Sequence, residues 1–186
     1  MLKAFELGYK AQAATNLTAS IATFYNRYDK LRSLSAGPPY SLANGFEAQT
    51  YGVEAEATCQ VTSRWRVNPG YTFMRLDVDA KPTSPDTTSR NQEGDSPRHQ
   101  LFVRSSLTLP RDLALDVTVR HVGELTNQRV PAYTTADARI AWQAHPALEL
   151  AIVGRDLFDP RHPEFGAPNS RREVERSVFG KATCRF

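Results

Sequence analysis

The chain has 186 residues, 40% of them hydrophobic and 23% charged, a balance that excludes a disordered tail and a collagen-like repeat. A net charge of +3 is too small to mark a nucleic-acid binder, and two cysteines, Cys59 and Cys184, build neither a disulfide framework nor a four-ligand zinc site. No apolar run approaches the roughly 20 residues a spanning helix needs, and Met1 to Leu7 lacks the apolar stretch of a signal peptide.

The dominant pattern is period two, which places residues i and i+2 on the same face of a strand. It predicts nine strands, over 3–13, 16–29, 46–61, 65–79, 98–109, 112–124, 132–143, 147–157 and 173–186. In the third, Val53, Ala55, Ala57, Cys59 and Val61 form an apolar side against Glu54, Glu56, Thr58 and Gln60. Pro69 interrupts the fourth and demands a bulge or an unpaired ladder position. The fifth alternates Leu101, Val103, Leu107 with Phe102, Arg104, Thr108, and the sixth Leu113, Leu115, Val117 with Asp116, Thr118, Arg120. In the last, Val178, Ala182 and Cys184 oppose Glu175, Lys181 and Arg185. Many of these strands match the roughly 9–11 residues that cross a bilayer at a tilt.

Connections alternate in length. Short turns fall at 14–15, 62–64, 110–111 and 145–146, and long polar loops at 30–45, 80–97, 124–131 and 158–172. Short turns at one rim and long loops at the other describe an outer-membrane barrel wall. Trp65 and Trp142 adjoin short turns and are expected in a periplasmic aromatic girdle, with Phe186 at the same rim. Tyr25, Tyr28, Tyr71, Phe73 and Tyr133 fall toward the long-loop ends. The expected fold is therefore all-β: an antiparallel meander of about nine long strands forming the wall of a transmembrane β-barrel, which the resemblance below implies to be its partial, C-terminal segment.

The closing strand Glu173-Val174-Glu175-Arg176-Ser177-Val178-Phe179-Gly180-Lys181-Ala182-Thr183-Cys184-Arg185-Phe186 and the preceding Asp156-Leu157-Phe158-Asp159 resemble the end of a TonB-dependent outer-membrane receptor. Phe5-Glu6-Leu7-Gly8-Tyr9-Lys10 and Tyr51-Gly52-Val53-Glu54-Ala55-Glu56 resemble two earlier strands of that family. Asp156 stands where the family usually has Asn, and Cys184 where it has Trp. The resemblance implies a 22-stranded barrel with a plug domain in a Gram-negative outer membrane, importing a scarce ligand such as a ferric siderophore or other metal complex. It implies residues 1–186 as the C-terminal portion of that barrel, a non-autonomous fragment whose plug and N-terminal strands are absent. The implied partners are outer-membrane lipid, the barrel-assembly machinery reading Phe186, and TonB acting only through the absent plug.

The polar faces carry Glu54, Glu56, Arg104, Arg120, Arg139, Lys181 and Arg185, expected to line the lumen, where they pair across strands or touch the plug. Arginines outnumber lysines 18 to 5, which suits bidentate pairing with carboxylates and would equally suit an anionic ligand. Asp159, His162 and Glu164 cluster in the last long loop, where contact with a metal or metal chelate is conceivable. Pro160 and Pro163 stiffen that loop, and a plain structured loop is the competing reading. No Gly-x-Ser-x-Gly elbow supports a catalytic triad, so neither an enzyme nor a bound cofactor is expected. The rivals are a small outer-membrane barrel acting as enzyme or adhesin, and a soluble β-sandwich or lipocalin-like carrier. The sandwich requires Val53, Leu115 and Val178 to be buried between two facing layers.

Overall fold

A computed structural model describes residues 1–34, 37–86 and 89–185. Nine strands form one antiparallel sheet in chain order: β1 (Leu2–Ala14), β2 (Leu17–Leu34), β3 (Leu42–Thr62), β4 (Trp65–Ala80), β5 (His99–Leu109), β6 (Leu113–Val122), β7 (Tyr133–His145), β8 (Leu148–Arg155) and β11 (Ser177–Cys184). Between β8 and β11, β9 (Arg161–Pro163) and β10 (Glu173–Glu175) make a separate two-stranded hairpin. A short 3-10 helix, Ser89–Asp95, follows β4. Among the described residues β1 and β11 are the free edges, and no helix is long and apolar enough to cross a membrane.

The ladder registers put the alternation of every strand in phase. Ala19 opposes Ala57, Val53 opposes Phe73, Tyr71 opposes Leu101 and Val103 opposes Val119. Leu115 opposes Ile140, and Val178 opposes Gly154. All of these lie on one continuous apolar face. No second layer covers it: apart from the contact of β4 with the short helix, each strand of the sheet packs appreciably only against its ladder neighbours. Leu7 is 77% exposed, Val178 66% and Ile152 60%. In water each such side chain would forgo roughly 1.5–3 kcal/mol of burial, so a face of this extent requires an apolar surrounding. The two-layer sandwich is thereby excluded.

Pro69 costs no bulge. The β3–β4 register is the same on both sides of it, the ladder skips Ala57 and Thr58 opposite Pro69 and Asn68, and the Asn68 amide bridges the gap to the Thr58 hydroxyl at 2.6 Å. On the polar face two rings lie over glycines. A Cβ on Gly70 would sit 2.3 Å from the Phe102 ring, and one on Gly52 would meet both the Phe24 ring and the Phe73 carbonyl. Such close approach is open to glycine alone.

The largest buried cluster sits on the polar face at the long-loop end, where Phe46, Ala48 and Val78 pack with Tyr28, Leu31 and Leu76. Above Phe73, β4 runs past the start of β5, and the short helix takes over as its neighbour. There the Val78 amide donates to the Glu93 carboxylate at 2.6 Å.

Three expectations need adjustment. Tyr28 and Tyr133 fall on the polar face, opposite Tyr25, Tyr71 and Phe73, because parity along a strand decides the face. Residues 173–175 do not belong to the closing strand but fold back on β9. Phe186, the expected assembly signal, lies outside the described residues, as does part of the 80–97 loop.

Candidate functional site

Glu54, Glu56, Arg104, Arg120, Arg139 and Lys181 all lie on the polar face of the sheet, and Arg185 continues that parity one residue beyond β11. They fall into two groups. Arg139 is clamped between two carboxylates: it donates at 3.0 Å to Asp116, its register partner on β6, and at 2.5 Å to Glu149 on β8, which lies four residues from its register partner Val153. One planar guanidinium thereby ties β6, β7 and β8 together, a geometry that a lysine cannot reproduce. Glu54, Glu56, Arg104, Lys181 and Arg185 have no ion pair among the described residues. Their signs are segregated, with the acids on β3 and the bases on β5, β11 and just beyond.

Arg120 belongs to a second cluster at the long-loop rim, at the level where the apolar face gives way to the polar His121–Thr134 pair. The loop carrying β9 and β10 folds inward over this part of the wall. Glu164 accepts from Arg120 at 3.0 Å and from the Tyr133 hydroxyl at 3.1 Å. His162 stacks on the Tyr133 ring at 4.3 Å and is only 3% exposed. Its Nε2 stands 3.5 Å from the Glu164 carboxylate, yet neither ring nitrogen has a hydrogen-bond partner among the described residues.

The structure thus brings His162 and Glu164 together and joins them to Arg120 and Tyr133. Asp159 does not join them; it accepts the Arg161 amide at 3.3 Å. Among the described residues no three His, Cys, Asp or Glu side chains converge as a metal cage. Further hydrogen bonds knit the long loops to one another. The side chains of Asn127 and Gln128 donate to Asp95 at 2.8 and 3.1 Å, the Gly166 amide donates to Gln128, and Arg171 donates to the Arg129 carbonyl at 2.9 Å. Three loops therefore form one cap over β5 to β8. Sequence reasoning placed Tyr133 toward this rim as an interfacial aromatic but missed its contacts with Glu164 and His162 and this interlock, since no periodicity records which loops meet.

At the opposite rim Trp65 and Trp142 both lie on the apolar face. Trp65 donates its indole N–H to the Ser105 hydroxyl at 2.9 Å. Cys59 and Cys184 are free thiols six strands apart.

A single-layered antiparallel sheet with an uncovered apolar face, a charged opposite face, short turns at one rim and interlocked loops at the other is the wall of an outer-membrane β-barrel. The family model described as TonB dependent receptor-like, beta-barrel, matches residues 2–157, and the chain belongs to that family. The pesticin receptors of Yersinia pestis and Yersinia enterocolitica are each 27% identical over 194 residues, covering 95% of this chain and 27% of their own length. The chain thus spans about a quarter of the length of the curated relatives it matches. Among solved structures, the siderophore receptor PiuA from Acinetobacter baumannii superposes with a TM-score of 0.78 at 20% identity, over 98% of this chain and 28% of that one. The ferric yersiniabactin uptake receptor FyuA from Yersinia pestis gives 0.74 at 21% identity, over 100% and 30%. Membership places the chain in the outer membrane of a Gram-negative cell.

Proposed function

We propose that residues 1–186 form the C-terminal portion of the barrel of a TonB-dependent uptake receptor for a metal chelate, the plug and the earlier strands lying elsewhere in a longer protein. The observation that carries this reading is the phase of the ladder, which along the strand middles gathers the apolar side chains of nine strands onto one uncovered face and sets charges such as Glu54, Arg104, Arg139 and Lys181 on the other. The short coverage of the relatives and the unclosed sheet support the assignment as a segment.

In this reading the unpaired Glu54, Glu56, Arg104, Lys181 and Arg185 face the lumen and meet the plug. TonB acts through that plug, Trp65 and Trp142 anchor the periplasmic interface, and Phe186 is the strand end read by the assembly machinery. Arg120, Tyr133, His162 and Glu164 stand at the lumen mouth, where a guanidinium and a phenol suit an anionic chelate. The curated relatives are receptors, which supports a wall that binds and positions rather than catalyses.

Two measurements test this. The full-length protein that carries these residues should sediment with the outer membrane and resist carbonate extraction; recovery in the soluble fraction would overturn the barrel reading. Outer membranes containing it should retain ferric yersiniabactin, the named ligand of one structural neighbour, and Arg120→Glu should weaken that retention at least ten-fold. Equal retention by the variant would remove the rim cluster from the ligand path.

A further inference from the structure

On the apolar face, β1 and β2 carry a graded strip that the uptake function does not use. At its long-loop end Lys3 opposes Arg27, and the next pair on the same face is Phe5 opposite Tyr25, their rings 6.5 Å apart. These four side chains wall a cavity of about 450 Å³. Further along, beyond Leu7 and Thr23, a second cavity of about 560 Å³ opens on the same face. Tyr9, Tyr71 and Leu101 border it, and Ala11, Ala19 and Ala57, in register across three strands, form its floor.

The charges at the upper end leave room for an anion. Asp29, in the same cavity, is already held by Lys81 at 2.7 Å, and Arg27 faces Glu47 at 3.4 Å with both side chains exposed. Lys3 has no ion pair among the described residues. With Asp79, which faces Glu47 across β3 and β4 and lines a cavity with Arg27, three carboxylates stand near three cations, and Lys3 is the cation left without a partner among the described residues. An exposed pair as loose as Arg27–Glu47 contributes little, and a phosphate offers the guanidinium a bidentate partner.

The spacing matches one leaflet. Phe5 to Ala11 spans six residues, about 20 Å along a strand at roughly 3.4 Å per residue. A tilt of about 40° reduces this to roughly 15 Å of depth, half of a hydrocarbon core about 30 Å thick. Aromatic side chains mark the interface, the alanine floor lies near the midplane, and the cations stand in the headgroup layer on the long-loop side. The strip is continuous with the lipid-facing belt, so its occupant is an amphiphile of the bilayer. The long-loop side is the cell exterior, whose leaflet is built from phosphorylated glycolipid.

Resting on the barrel placement above, we propose that this strip binds one phosphorylated glycolipid of the outer leaflet. Its phosphate sits at Lys3 and Arg27, its sugar against Phe5 and Tyr25, and an acyl chain in the groove floored by Ala11, Ala19 and Ala57.

The test uses the full-length protein extracted from outer membranes in mild detergent and then supplied with vesicles of phosphatidylcholine doped with either lipid A or phosphatidylglycerol. Native mass spectrometry counts the lipid retained. The wild type should keep one lipid A, the double variant K3E/R27E should lose it at least ten-fold, and Arg111→Glu, at the opposite rim, should behave as wild type. Unchanged retention in the double variant overturns the proposal. So does an equal fall for phosphatidylglycerol, which would mean general electrostatic attraction. An independent readout needs no variant: lipid A carrying an acyl-chain diazirine should cross-link to peptides containing Ala19, Ala57 or Tyr71. Cross-links spread evenly over the apolar face overturn the groove. A protein that never enters the membrane fraction defeats the barrel reading itself, a result distinct from an inserted protein without bound lipid.

Discussion

Asp156 shows how much one backbone angle decides. It ends β8 with φ at 54°, in the left-handed region that Asn and Asp tolerate better than other side chains. Its carboxylate accepts the buried Thr135 hydroxyl at 3.1 Å, while its own amide donates to Asp137 at 3.1 Å. The Asn usual at this position of the family and the Asp found here both meet these demands, so the departure seen in the sequence is a neutral exchange of shape. Replacing Asp156 with Ala adds backbone strain and orphans the Thr135 hydroxyl. Together these should cost about 2–4 kcal/mol, read as a lower unfolding midpoint of the assembled barrel. Asp156→Asn keeps the acceptor and the angle and removes a charge that is nearly buried. It should change stability by less than about 1 kcal/mol, toward greater stability. Equal losses for both variants would show that the charge, not the geometry, holds this corner.

At the scale of elements, the strands were legible because period two is imposed twice, once by the pleat and once by the contrast between the two environments. All nine strands of the sheet appear at or near their expected spans, and the alternating apolar residues of their middles share one face. What stayed hidden had no periodic trace. The alternation of 173–178 reads as one strand, yet Glu173 to Glu175 pairs with β9 and only Ser177 onward with β8, because alternation does not name a partner. The burial of His162 and the joining of three loops through Asp95, Gln128 and Gly166 come from tertiary contacts between segments with no pattern of their own. The short helix belongs to the same class: it exists to cover the upper half of β4, and Glu93 supplies the acceptor that no strand offers to Val78. Glu93→Ala should leave that amide unpaired in a residue only 3% exposed. A charged acceptor of this kind contributes roughly 1.5–3 kcal/mol. Hydrogen exchange at Val78 should accelerate at least ten-fold, with Glu93→Gln falling between. Unchanged exchange would assign the cover to packing alone.

For the whole molecule the decisive fact is parity. In an all-antiparallel order of nine strands, β1 and β11 run in the same direction. A second copy inserted with the same orientation would bring its edges alongside in parallel, so two copies cannot complete an antiparallel wall. Closure requires an odd number of further strands, the first and last running opposite to β1 and β11. Until those arrive, two rows of backbone N–H and C=O groups stay unpaired at the depth of the hydrocarbon, where each costs several kcal/mol. The penalty grows with every residue of the edge, and side-chain burial cannot remove it, because lipid offers no hydrogen bonds. Residues 1–186 expressed alone and refolded in detergent should therefore yield a ladder of heterogeneous, edge-paired oligomers. They should lack the compact, heat-modifiable band of a closed barrel on cold electrophoresis. Co-expression with the missing strands of a relative should convert that ladder into a single compact species. A discrete heat-modifiable monomer from the isolated chain would show that the nine strands close by themselves, and the parity argument would fail with it.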